Sequence, residues 1–134
     1  MDEHQYRQMA LSLPDATESS HMNHPDFRVG GKIFATLWPT KQQGVVVLTP
    51  EQQEVFLGAR PNAFSPASGA WGRRGSTVVD LTCVDEEDCR TALAMAWRNR
   101  APKALAAAFD SGETAEAADS DQLVDSLGPS EMDA

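Results

Sequence analysis

The chain lacks the features that several large functional classes require. It has only two cysteines, Cys83 and Cys89, six apart and with no Cys-x-x-Cys spacing. That pattern supplies neither a zinc site nor a disulfide framework, so both are read as free thiols. No apolar run approaches the ~20 residues that a membrane helix needs. The N-terminal MDEHQYRQ is polar and acidic, unlike a secretory leader. The expectation is a cytoplasmic protein without membrane contact. Nor is there a glycine loop that would cradle phosphate, a pair of catalytic carboxylates, or a Ser-His-Asp arrangement that the sequence can place. Glu18 is a carboxylate with no evident partner. His21, His24 and Asp26 are close in HMNHPD, but positions 21 and 24 of a strand point to opposite faces, and only a turn would converge them. The reading is a protein that is not an enzyme, with no metal and no cofactor.

What is present is an ordinary globular composition, 41% hydrophobic and 23% charged over 134 residues, enough for one domain with a real core. The net charge of −9 is unevenly placed. Met1–Phe109 holds eleven Lys and Arg against twelve Asp and Glu; Asp110–Ala134 holds eight acids and no Lys or Arg. The division is therefore a nearly neutral domain, residues 1–109, and an acidic tail, residues 110–134. The tail is rich in Ala and Ser and poor in large apolar groups, so little burial is available to offset its ordering entropy. Disorder or a loose helix is expected.

Periodicity gives the elements. Tyr6, Met9, Ala10 and Leu13 recur at helical spacing up to Pro14-Asp15. Thr17–Asn23 reads as a polar strand, and His24-Pro25-Asp26 as a turn. In His24–Trp38, Gly30-Gly31 reads as a tight hairpin turn, because Gly adopts positive φ without steric cost. The strand after it alternates Ile33, Ala35 and Leu37 on one face with Phe34, Thr36 and Trp38 on the other. Val45–Leu48 is a covered strand. Thr49-Pro50 with Gln52 forms an N-cap, a first helical proline and a capping box, predicting a helix from Pro50 to about Ala59. Asn62–Gly69 reads as a loop or short edge, Trp71–Arg74 as a hairpin arm turning at Arg74-Gly75, and Ser76–Thr82 as a strand. A helix opens at Asp85 and closes at Pro102, its acids and arginines arranged to suit its dipole. Lys103–Phe109 is a short further helix. The order α-β-β-β-β-α-β-α predicts an α+β two-layer sandwich, with an antiparallel sheet and helices on one face.

Four stretches carry a resemblance: LPDATE (Leu13–Glu18), HPDFRVGGKIFATL (His24–Leu37), AWGRRGSTVVDL (Ala70–Leu81) and LAMAWRNRAPKAL (Leu93–Leu105). Spanning about residues 3 to 109, they resemble the MmcQ/YjbR-like family, small proteins labelled DNA-binding whose function is largely unassigned. The resemblance implies a curved antiparallel sheet like that of type III secretion chaperones, with hairpins that contact DNA as a double wing.

For such binding, cations must reach phosphates. Arg28 and Lys32 flank the first turn, Arg73 and Arg74 mark the second expected hairpin tip, and Lys103 follows the long helix. Trp38 and Trp71 are possible stacking surfaces. The expected partner is DNA, bound through Arg28, Lys32, Arg73, Arg74 and Lys103. In this reading the tail acids compete with phosphate for that patch. Against it stands the near-neutral domain, because nucleic-acid binders usually carry a basic surplus. The alternative is a chaperone-like interaction module, whose open sheet face takes a partner segment or a second copy.

Overall fold

The computed structural model describes residues 1–110; apart from Asp110, the acidic tail lies outside them. Six strands form one sheet: β1 Thr17–His21, β2 His24–Val29, β3 Lys32–Trp38, β4 Gln43–Val47, β5 Phe64–Pro66 and β6 Ser76–Asp80. The spatial order is β1-β2-β3-β4-β6-β5, antiparallel throughout. Five helices accompany it: α1 Glu3–Leu11, α2 Pro50–Ala59, α3 Gly69–Arg73, α4 Glu86–Arg100 and α5 Lys103–Asp110. Side chains of α1, α2 and α4 join those of one sheet face in a single core that includes Tyr6, Phe27, Phe34, Leu37 and Trp97. The class is α+β, as the order of elements predicts.

Local chemistry accounts for the helix starts. Asp2 and Thr49 each accept from the backbone N–H three residues on, and Gln5 and Gln52 return the bond to the cap's own N–H. Asp85 accepts from the N–H of Asp88. Two donors satisfied at each box is what a capping box provides.

The chain departs from the expected elements in three places. The first turn is Met22-Asn23, both at positive φ, so His24-Pro25-Asp26 belongs to β2 and not to a turn. Asn tolerates the left-handed region. Pro25 fits because pairing of β2 with β3 begins only at Asp26, so its missing donor costs no bond on that side. Second, β3 carries one residue more than β2 between the Phe27–Ala35 and Arg28–Ile33 pairs. This bulge breaks the strict alternation: Phe34 is buried in the core beside Ala35 and Leu37, while Ile33 is half-buried and outside the core. Third, Trp71–Arg74 is not a hairpin arm but the helix α3 with its C-cap, connecting β5 to β6. The short edge expected in Asn62–Gly69 is the three-residue strand β5.

Gly44 shows why a small residue is needed in mid-sheet. A Cβ there would fall 2.4 Å from Tyr6 Cζ. Without it the phenol lies directly against the strand, and its hydroxyl reaches the carbonyls of Thr36 (3.2 Å) and Val45 (3.4 Å). Gly30 and Gly31 are both at positive φ and form the expected turn.

Candidate nucleic-acid interface

The register aligns the candidate cations. β2 runs into Gly30-Gly31 and β3 leaves it, with Val29 opposite Lys32. β4 returns to that same end, and Val47 is opposite Ser76, the first residue of β6. α3, which leads into β6, therefore lies at the Gly30-Gly31 end of the sheet. With strands about 4.8 Å apart, β3 and β6 are separated by roughly 10 Å. The end of α4 reaches the same place: Arg100 Nε donates to Ile33 O (3.1 Å) and Asn99 Nδ2 to Val47 O (3.0 Å). The Pro102 ring borders Gly30 at 3.3 Å from where a Cβ would stand, which brings Lys103 to the turn. Lys32, Arg73, Arg74 and Lys103 thus share one rim. All four are exposed and none is in an ion pair with a described residue.

Arg28 is not part of this free set. Its Nε donates to Asp26 Oδ1 (2.8 Å) and its Nη2 to Oδ2 (3.2 Å). His21 Nδ1 lies 2.7 Å from the same Oδ2, and since an ionised carboxylate only accepts, that nitrogen carries the proton. Asp26 has no exposed surface. Chiefly the Arg28 hydrogen bond, against the opposing effect of burial and with help from His21, holds its carboxyl below the ordinary range. The three residues are brought together by the Met22-Asn23 turn, which pairs His21 with His24 and Ser19 with Asp26. They tie the edge strand to its neighbour. Among the described residues no group of three or more His, Cys, Asp and Glu could hold a metal.

The aromatics divide as well. Trp97 is fully buried and donates to Pro14 O (2.9 Å). Trp38 is stacked against His24 at 3.9 Å, with Lys41 Nζ 4.7 Å from its ring centroid. Trp71 is 65% exposed, and Arg74 Cζ is 5.6 Å from its ring centroid.

The opposite end of the sheet is acidic. Asp80 closes β6, and Asp85, Glu86, Glu87 and Asp88 open α4. The N-terminal amine donates to Leu81 O (3.0 Å), which adds Asp2 and Glu3. Two of the cations there are paired, Arg60 with Asp88 and Arg90 with Glu86. Acids stand at the basic end too: Glu51 is in the first turn of α2, and Asp110 is paired with Arg98 near the end of α4. α4 spans fifteen residues, about 22 Å, which matches the length of the strands beneath it. The acids that favour its N-terminus and the arginines that favour its C-terminus therefore fall at opposite ends of the molecule. The near-neutral sum conceals a separation of charge.

Comparison with known proteins follows this architecture. The YjbR family profile matches residues 11–99. The chain belongs to the YjbR family. Among solved structures, this YjbR-family chain is similar to Deinococcus radiodurans protein DR2400, a DUF419 domain. The TM-score is 0.64 and the identity 19%, over 73% of this chain and 77% of that one. At that identity the likeness concerns the fold. No curated protein matches the chain.

Proposed function

We propose that the chain acts by binding rather than by catalysis, and that it binds the phosphate backbone of a nucleic acid through the rim of Lys32, Arg73, Arg74 and Lys103. The observation that carries this reading is the charge separation: four exposed cations without ion-pair partners among the described residues share one end of the sheet. Most of the acids that cancel them in the sum stand at the other end. Phosphate contacts of this kind release counterions and impose a salt dependence of about 0.9 per contact on a duplex.

The test is fluorescence anisotropy with labelled random-sequence oligonucleotides, single- and double-stranded, across salt. Replacing the four cations by Ala is expected to lower the duplex salt slope by about 3.6. Lys41→Ala, at the other end, is expected to leave it unchanged. Failure of the full chain and of a form lacking residues 111–134 to bind either oligonucleotide at low salt would falsify the proposal.

A second reading rests on a different observation. Ile33, Val45, Val47 and Val78 are half-buried and stand outside the core, an apolar strip suited to a protein segment or a second copy. Concentration-dependent sedimentation, abolished by Val45→Asp, would favour it.

A further inference from the structure

Of the three tryptophans, two are already engaged, one in the core and one between His24 and Lys41. Trp71 is different, and its exposure is held in place by the fold. It stands in a five-residue helix, α3, which is clamped from several directions. Gly72 is buried so close to Ala67 that a Cβ would fall 1.8 Å from the Ala67 carbonyl oxygen. The Gln53 side-chain amide, itself buried, donates to Gly72 O (3.1 Å) and Ser76 O (3.0 Å). The N–H of Arg74 bonds back to Ala70 and Trp71, and that of Gly75 to Gly72. An indole left 65% exposed on so constrained a segment is presented by a backbone with little freedom still to lose on binding. Arg73 and Arg74 follow it directly, and Lys32 stands at the same end of the sheet, on β3, two strands from β6. An aromatic ring set among cations that follow a phosphate chain is the arrangement on which unpaired bases stack. A duplex offers no free base face.

We infer that Trp71 is a stacking platform for an unpaired nucleobase, so that the nucleic acid taken by the rim is single-stranded, with Arg73, Arg74 and Lys32 on its backbone. This rests on the phosphate-binding reading above and adds the class of ligand. Charge complementarity selects the occupant: an apolar partner would gain nothing from the surrounding cations, whereas a base brings its own phosphate.

The experiment compares three probes of equal length against the full chain at low salt: oligo-dT, the same strand with abasic sugars throughout, and a duplex. Oligo-dT is expected to bind roughly tenfold or more tightly than the abasic strand and to quench tryptophan emission. Trp71→Ala should bring oligo-dT down to the abasic level and leave abasic binding unchanged. Trp71→Phe should restore part of the difference but not the quench. Because the ring is exposed, both variants are expected to keep the far-ultraviolet circular dichroism of the parent. Equal binding of oligo-dT and the abasic strand by the parent chain overturns the inference while leaving the backbone reading standing. So does preference for the duplex. Loss of self-association in Trp71→Ala, with no change toward any oligonucleotide, overturns it in favour of a protein contact. If no probe binds, both readings fall together.

Discussion

Asp26 is a carboxylate without exposed surface on a strand that the sequence makes look like a turn. Its partners are themselves partly in water, with side-chain exposures of 41% for His21 and 34% for Arg28, so the cluster is worth less than a fully buried pair. Asp26→Ala should cost about 1–2 kcal/mol at neutral pH, measured by denaturant unfolding. The pH dependence follows from the direction of the shift. The folded-state pKa is depressed, so the contribution is fully present above the unfolded value, near 4. It is lost as pH falls through the lower folded value. The stability gap between the parent and Asp26→Asn should therefore narrow on acidification below about pH 4; a gap constant from pH 5 to pH 2 would show that ionisation plays no part. Why the sequence hides this cluster is a matter of register. Once Asn23 is allowed the left-handed region, the two-residue turn pairs His21 with His24 and brings Asp26 to the same face. Read instead as one strand through Asn23, the histidines diverge.

At the scale of elements, the legible parts were those set by local chemistry. Gly30-Gly31, the Thr49–Gln52 capping box and the Asp85 start of α4 each encode their geometry within a few residues. α3 did not, because it is not local in origin. Ala-Trp-Gly-Arg-Arg-Gly has two glycines and no helical stripe, and glycine is among the poorer helix formers. α3 forms because Gln53 from α2 and the close approach of Ala67 hold it. The bulge at Phe34 is likewise a tertiary choice, placing two consecutive residues in the core. A pair of substitutions separates these effects. Gly58→Ala, in α2 with nothing within 4 Å of the added methyl, should stabilise by roughly 0.5–1 kcal/mol. Gly72→Ala, whose methyl meets a backbone carbonyl, should destabilise by about 1–3 kcal/mol. Thermal unfolding of both variants checks the contrast, and equal shifts would mean that α3 is not clamped.

At the scale of the whole molecule, composition hides the separation of charge. A near-neutral domain argued against a polyanion ligand, but the sum over residues carries no positions. The positions come from antiparallel register and from the fact that α4 spans the sheet. All five candidate cations were readable as basic residues near turns or helix ends. The convergence of four of them was not, because it depends on which strands neighbour which. Arg28 shows the converse: a cation flanking a turn is committed elsewhere by a residue two positions away. In the sequence reading the eight acids of residues 110–134 compete with phosphate for the rim. Asp110 is paired with Arg98, and the other seven lie outside the described residues. Removing them should raise affinity for an oligonucleotide, with the largest gain at low salt, where exposed charges interact furthest. Unchanged affinity across salt would exclude that competition.

The contact between Tyr6 and Gly44 has a further consequence. Tyr6 is the chain's one tyrosine, and burial is the larger of the causes that push its phenol well above the ordinary value. Its ring can meet solvent hydroxide only when the first helix leaves the middle of the sheet. The ultraviolet absorbance of a single phenolate in alkali is thus an optical signal for the detachment of that helix, already present in the natural chain.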